Sequence, residues 1–168
     1  MAESKTIEIL KRAILLEARG HSFYTTVSRH AENDAVKQFF QHMADEENQH
    51  IKFLKAQLES IKSGRKIESP GENNRSTTQD EASVVLDRKV KNRIHGAGFE
   101  AAAISAAMLM EERAINLYAE RAKSTEDPDE KAIYLWLADW EKEHLKVLTE
   151  IDRELTENIW HDNSFWPF

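Results

Sequence analysis

The 168-residue chain contains no cysteine. Disulfides, thiol nucleophiles, iron–sulfur clusters and rubredoxin-type iron centres are therefore excluded within it, and the absence fits a cytoplasmic setting. Glycine and proline are scarce too, at 5 and 3 residues, together about 5% of the chain where ordinary proteins carry roughly 12%. So few chain-breakers argue for long helices and against a turn-rich sandwich or barrel. A long apolar run is also missing. The most apolar stretch, Ala101–Met110, has ten residues, half of the roughly 20 that a membrane helix needs. Charges interrupt the first residues every few positions, so no apolar signal core stands there. Positive charge is in deficit: Lys+Arg is 23 against 30 for Asp+Glu, a net charge of −7, which is unsuited to gripping phosphate backbones. With 40% hydrophobic and 32% charged residues, the composition is too apolar for disorder and too charged for a membrane protein. One soluble cytoplasmic domain is expected, binding neither nucleic acid nor membrane.

Helical periodicity marks four long segments. The first spans about Ser4–His30, with Ile7, Leu10, Ile14 and Ala18 as its apolar stripe. The second spans about Asp34–Lys62, with Phe39, Phe40, Met43, Ile51, Leu54 and Leu58 on one face and Gly64 as a stop. Residues 63–98 read as a linker, polar and turn-rich through Asp80. Within it, Thr78 and Glu81 have capping-box spacing, and Ala82–Ile94 reads as a short helix. The third segment runs from Phe99 to about Lys123. The fourth starts sharply, with Asp127 as N-cap, Pro128 at the first helical position and Glu130 closing a capping box; it is expected to end near Leu155. An aromatic tail, 156–168, follows. The expected organisation is a hairpin (4–62), a linker (63–98), a hairpin (99–155) and the tail.

The two hairpins are copies of each other. Met43–Leu54 aligns with Leu137–Leu148, and Leu15–Tyr24 with Leu109–Tyr118, at a single offset of 94 residues with no gap. Even Asn33 falls on the N-cap Asp127. The repeat carries chemistry. Glu47 and His50 form a Glu-x-x-His pair, as do Glu141 and His144, and residues three apart share a helix face. Glu17 lies 13 residues before His30, and Glu47 lies 13 after Asp34. In an antiparallel hairpin both carboxylates then sit roughly 20 Å from the turn, at one height. Glu111 and Glu141 repeat the arithmetic in the second half. Two such hairpins packed face to face bring four carboxylates and two imidazoles together at mid-bundle. Four buried carboxylates are costly alone. Two divalent irons would balance their charge, and oxygen donors with some imidazole and no thiolate suit iron or manganese. One Glu from each of two helices, with Glu-x-x-His from each of the others, is the donor pattern of ferritin-like carboxylate bundles.

As a set, the motifs E-x6-Y and A-x-x-E-x-x-H in each half resemble the rubrerythrin branch of the ferritin-like di-iron superfamily. The resemblance covers both hairpins. It implies an all-α antiparallel four-helix bundle with a long crossover, holding two iron ions, with manganese or zinc as substitutes. It further implies that Glu47 and Glu141 bridge the metals, that Glu17 and Glu111 are terminal ligands, and that His50 and His144 give one imidazole to each metal. Two departures stand out. Rubrerythrins proper feed electrons through a rubredoxin domain, which a cysteine-free chain does not contain. They also carry an extra Glu ligand where this sequence has Met108. The symmetric set that remains is closer to bacterioferritin-type centres.

Tyr24 and Tyr118 each stand two turns beyond a terminal Glu, placed to hydrogen-bond a ligand carboxylate. His21 is a possible third imidazole near the metals. His30, His42, His95 and His161 read as solvent-facing. Trp136 and Trp140 read as core or interface residues, with electron transfer or radical quenching as the alternative; the tail aromatics Trp160, Phe165, Trp166 and Phe168 read as a cover for the bundle end or a dimer seam.

The expected function is reduction of peroxide or dioxygen by a di-iron centre re-reduced by an external donor protein, a peroxidase-type role in oxidative stress. The alternatives are a ferroxidase coupled to iron storage, and a non-catalytic binding or sensing bundle that metal merely stabilises. The slack linker and the alanine-rich third segment lead us to expect a homodimer, with helix swapping open.

Overall fold

Long helices with few breakers are what the chain forms. The computed structural model describes residues 5–32, 34–65 and 98–161. Among these residues there are four helices: α1 (Lys5–His30), α2 (Asp34–Lys62), α3 (Phe99–Ser124) and α4 (Pro128–His161). The all-α four-helix bundle expected from the repeat is the observed fold. The closest helix packing is within each hairpin, α1 on α2 and α3 on α4, and α1 also approaches α3.

The termini follow from local chemistry. Gly64 has a φ of +71°, the left-handed conformation that ends helices at glycine. Its N–H donates to the Ile61 carbonyl at 2.9 Å and the Arg65 N–H to the Ser60 carbonyl at 2.9 Å, so the last carbonyls of α2 are satisfied. At the start of α4, Asp127 Oδ1 accepts from the N–H groups of Asp129 and Glu130 at 2.9 and 3.0 Å. The expected capping box is not closed, however. The Glu130 carboxylate turns instead to Arg121, whose Nε and Nη2 reach Oε1 at 3.1 and 2.8 Å, and to the Thr125 hydroxyl at 2.7 Å. A buried guanidinium–carboxylate fork outweighs one reciprocal cap bond.

Two other expectations are corrected. Helix α4 continues to His161 rather than stopping near Leu155; the polar run TENIWH contains no glycine or proline to end it. The inward stripe of α1 is Leu10, Ala13, Glu17, Tyr24 and Val27, while Ala18 is exposed. The apolar reading skipped Glu17 and so tilted the stripe. The capping pair Thr78/Glu81, the helix at 82–94, Asn33, His95, the side chains of Trp160 and His161, and the tail aromatics Phe165, Trp166 and Phe168 lie outside the described residues.

The core is divided. One apolar cluster joins Tyr24, Val27, Phe39, Phe40, Met43, Ile104, Leu148 and Ile151. A second joins Leu10, Leu54, Leu58, Tyr118, Ile133, Tyr134 and Leu137. At the middle of every helix buried acids and imidazoles fall between the residues of the two clusters: Glu17 on α1, Glu47 and His50 on α2, Glu111 on α3, Glu141 and His144 on α4.

The two ends of α4's first turn should differ in energetic weight. Asp127→Ala should cost about 1 kcal/mol, the usual value of an N-cap. Glu130→Ala should cost about 3 kcal/mol or more, because it strands the mostly buried Arg121 guanidinium. Urea unfolding at unchanged m-value checks both, and equal losses would contradict the assignment.

Candidate metal centre

Six side chains that the repeat puts at mid-helix meet in one buried layer. Glu17, Glu47, Glu111 and Glu141 are each at most 3% exposed, and His50 and His144 are fully buried. Their donor atoms form two overlapping groups, Glu17–Glu47–His50–Glu141 and Glu47–Glu111–Glu141–His144, each with its atoms within 4.8 Å of one another. Glu47 and Glu141 belong to both. The His50 Nδ1 atom lies 2.8 Å from Glu17 Oε2 and 3.3 Å from Glu141 Oε1. The His144 Nδ1 atom lies 3.2 Å from Glu141 Oε2 and 3.6 Å from Glu111 Oε1.

The tyrosines tie the hairpins together. Tyr24 on α1 donates to Glu111 Oε1 on α3, and Tyr118 on α3 donates to Glu17 Oε1 on α1. Each hydroxyl thus serves the carboxylate of the other half, a cross-pairing that spacing along one helix does not reveal. A small cleft between α1 and α3 leads to all four carboxylates. Its walls are the repeat-related pairs Leu16/Met110 and Gly20/Ala114. Gly20 is required by space: a Cβ there would meet the Glu47 carboxylate at 3.0 Å.

The rubrerythrin family model matches residues 8–156, which contain the whole layer. The chain belongs to the rubrerythrin family. No curated protein and no solved structure matches it. Rubrerythrin-family proteins usually bind iron, and the side chains present fit such a metal. Both oxygens of Glu141 and the Nδ1 of His144 are buried and, despite imidazole–carboxylate approaches of 3.2–3.3 Å, make no well-aligned hydrogen bond. Buried orphans of this kind are rare, and a cation would satisfy all three at once.

Two residues that sequence reasoning passed over or misplaced back up this rubrerythrin-family site. Glu46, 2% exposed, accepts from His144 Nε2 at 2.9 Å. His42 is not the solvent-facing residue expected: its Nε2 stands 3.5 Å from Glu46 Oε1 and its side chain is 16% exposed. The signal for Glu46 was its adjacency to Glu47, which on α2 turns it toward the opposite hairpin. His21 is half-buried and lies in neither donor group; it stands one turn past Glu17, at the edge of the inward stripe. Met108 packs against the first apolar cluster and lies in neither donor group.

The electrostatics are those of crowded buried acids. Burial raises Glu47 well above the ordinary carboxylate range, and the charges of Glu17 and Glu141 add to it. Burial and then Glu141 push Glu111 up to about 8. Burial alone would depress the imidazoles, but the carboxylates around them outweigh it, and both His50 and His144 are raised. Glu141 is also pushed up by burial, yet His50 and His144 together prevail and hold it low.

These shifts set the pH dependence of the metal-free fold. Groups raised by folding hold protons that the unfolded chain has released, so their contribution is lost as pH rises. For Glu111 the window runs from 4.5 to about 8, and Glu47 and the two imidazoles act in the same direction. Glu141 acts oppositely, its contribution being lost only in acid. The melting temperature of metal-free protein should therefore fall as pH rises through that window, while metal binding tightens because it displaces the same protons. A metal-free melting temperature that rises toward pH 8 would contradict this.

Proposed function

We propose that the chain is a di-iron oxidoreductase of rubrerythrin type, reducing peroxide or dioxygen with electrons delivered from outside the bundle. The observation that carries this reading is the pair of donor groups overlapping at Glu47 and Glu141. On this reading Glu17 and His50 would hold one metal and Glu111 and His144 the other, with Glu47 and Glu141 shared between the two donor groups. When bound, two ferrous ions supply the two electrons that turn peroxide into water.

The chain's own residues do the rest. Tyr24 and Tyr118 fix the terminal carboxylates by donating one hydrogen bond to each. Glu46 accepts the Nε2 proton of His144, which selects the tautomer whose Nδ1 lone pair faces the layer. The narrow α1–α3 cleft limits access to small oxidants. A ferroxidase reading draws support from the donor set itself: four carboxylates and two imidazoles, with no fifth carboxylate ligand, give it the symmetric form of bacterioferritin-type centres. We keep the single ferritin-like domain and the homodimer as parts of the proposal, with the exposed repeat-related leucines Leu15 and Leu109 as candidate dimer surface.

Anaerobic ferrous titration should saturate at two irons per chain, and peroxide with a reductant should then turn over repeatedly. Uptake of many irons per chain would favour storage; two irons without repeated oxidation would leave only a structural metal. Glu46→Gln should weaken iron binding roughly 10–100-fold, the usual effect of removing a partner behind a ligand imidazole. For assembly, light scattering should give twice the 19.4 kDa chain mass, and a persistent monomer with metal bound would refute the dimer.

A further inference from the structure

The repeat breaks at one place, directly behind the two imidazoles. Offset by 94 residues, His42 and Glu46 correspond to Trp136 and Trp140. Behind His144 stands a carboxylate backed by an imidazole. Behind His50 stands an indole backed by an indole. The Trp140 ring meets the His50 ring edge-on, with centroids 4.3 Å apart. Trp136 follows at 4.8 Å from Trp140 and 5.9 Å from His50, and Phe53 packs on its other side at 4.8 Å. Trp140 is 7% exposed, whereas Trp136 is only half-buried. The three rings are in mutual contact beside the acid layer, and of the two indoles Trp136 is the more exposed.

This arrangement is poor as a stability device. The Nε1 of Trp140 and the Nε2 of His50 are both buried without a hydrogen-bond partner, and each such group carries a desolvation cost that a carboxylate at residue 140 would relieve, as Glu46 does for His144. What indoles offer instead is ease of one-electron oxidation. Ring-to-ring contact permits rapid electron transfer, and the gradient of exposure gives it a direction. With no acceptor for its N–H, oxidised Trp140 keeps its proton and remains a strong oxidant. Trp136 reaches solvent, where water can take the proton and trap the radical.

We infer that Trp140 and Trp136 are an outlet for oxidising equivalents, draining the His50 side of the site when electrons run short; this rests on the di-iron reading above. Peroxide needs two electrons and two protons to become two waters. When the site supplies only one electron, Trp140 supplies the second and is left as a radical cation. Trp136 gives an electron to Trp140, loses its indole proton to water and becomes a neutral radical. A small one-electron reductant of the ascorbate or phenol class then returns an electron and a proton to Trp136. The indoles act through His50 and the metals rather than on peroxide itself, so they protect and position rather than catalyse.

The test uses iron-loaded full-length protein treated with excess peroxide and no reductant, followed by freeze-quench EPR and peptide mass spectrometry. A tryptophan radical is expected, with hydroxylated or ring-opened product at Trp136 in preference to Trp160 and Trp166. Trp140→Phe should weaken the preference for Trp136, leaving only its more distant direct contact with His50. Trp136→Phe should move the radical signal onto Trp140, and ascorbate should quench the wild-type signal. Zinc-loaded protein should give none of these. Equal oxidation of all tryptophans, or a Trp136 preference that Trp140→Phe leaves undiminished, would overturn the outlet. Iron analysis of each sample separates the two levels of failure. Protein that binds two irons and consumes peroxide with Trp136 intact refutes the outlet alone; protein that binds no iron refutes the di-iron reading and the outlet with it.

Discussion

Taking a carboxylate out of water costs several kcal/mol unless other charges and hydrogen bonds answer it. This bundle buries five in a single layer, Glu17, Glu46, Glu47, Glu111 and Glu141, with two imidazoles among them. The remaining architecture accommodates that layer. Apolar clusters lie to either side and exclude water. Tyr24 and Tyr118 reach across from one hairpin to the other to serve its carboxylate, so the acids themselves hold the hairpins in register. Gly20 yields the space that the Glu47 carboxylate fills. The raised Glu47 and Glu111 are the residual cost, which positive metal charge would relieve.

The duplication explains why one layer provides two equivalent donor groups. Its departures from symmetry make the two sides chemically different. His144 is oriented by Glu46, while His50 faces Trp140. A metal held on the Glu46 side would sit beside a more basic imidazole, since a carboxylate partner raises ligand basicity. A metal on the other side would sit near a pair of indoles. The same fold position thus carries a carboxylate in one half and an aromatic ring in the other.

Much of this was legible in the sequence because the repeat is ungapped. The 94-residue offset fixed which acids share a height, and the bounds of α2 and the starts of α3 and α4 follow from Asp34, Phe99 and the Asp127–Pro128 cap. Less was legible where a polar residue faces inward. Counting apolar residues alone placed Ala18 in the stripe of α1 and left Glu17 off it. Glu130 fits a capping box by spacing, yet Arg121, nine residues earlier, takes its carboxylate, because only the folded α3–α4 turn brings them together. His42 read as solvent-facing and Glu46 drew no reading, since the partner of Glu46, His144, lies 98 residues away on the opposite hairpin. The cross-pairing of the tyrosines is likewise a property of two packed hairpins and of neither helix alone.

The most direct measurement is anomalous diffraction at the iron edge from crystals of ferrous-loaded protein. The account predicts two peaks between Glu47 and Glu141, about 3.5–4 Å apart as in other two-metal sites, one beside His50 Nδ1 and one beside His144 Nδ1. Iron found only at exposed carboxylates, with the six buried side chains paired to one another as in the metal-free layer, would contradict it.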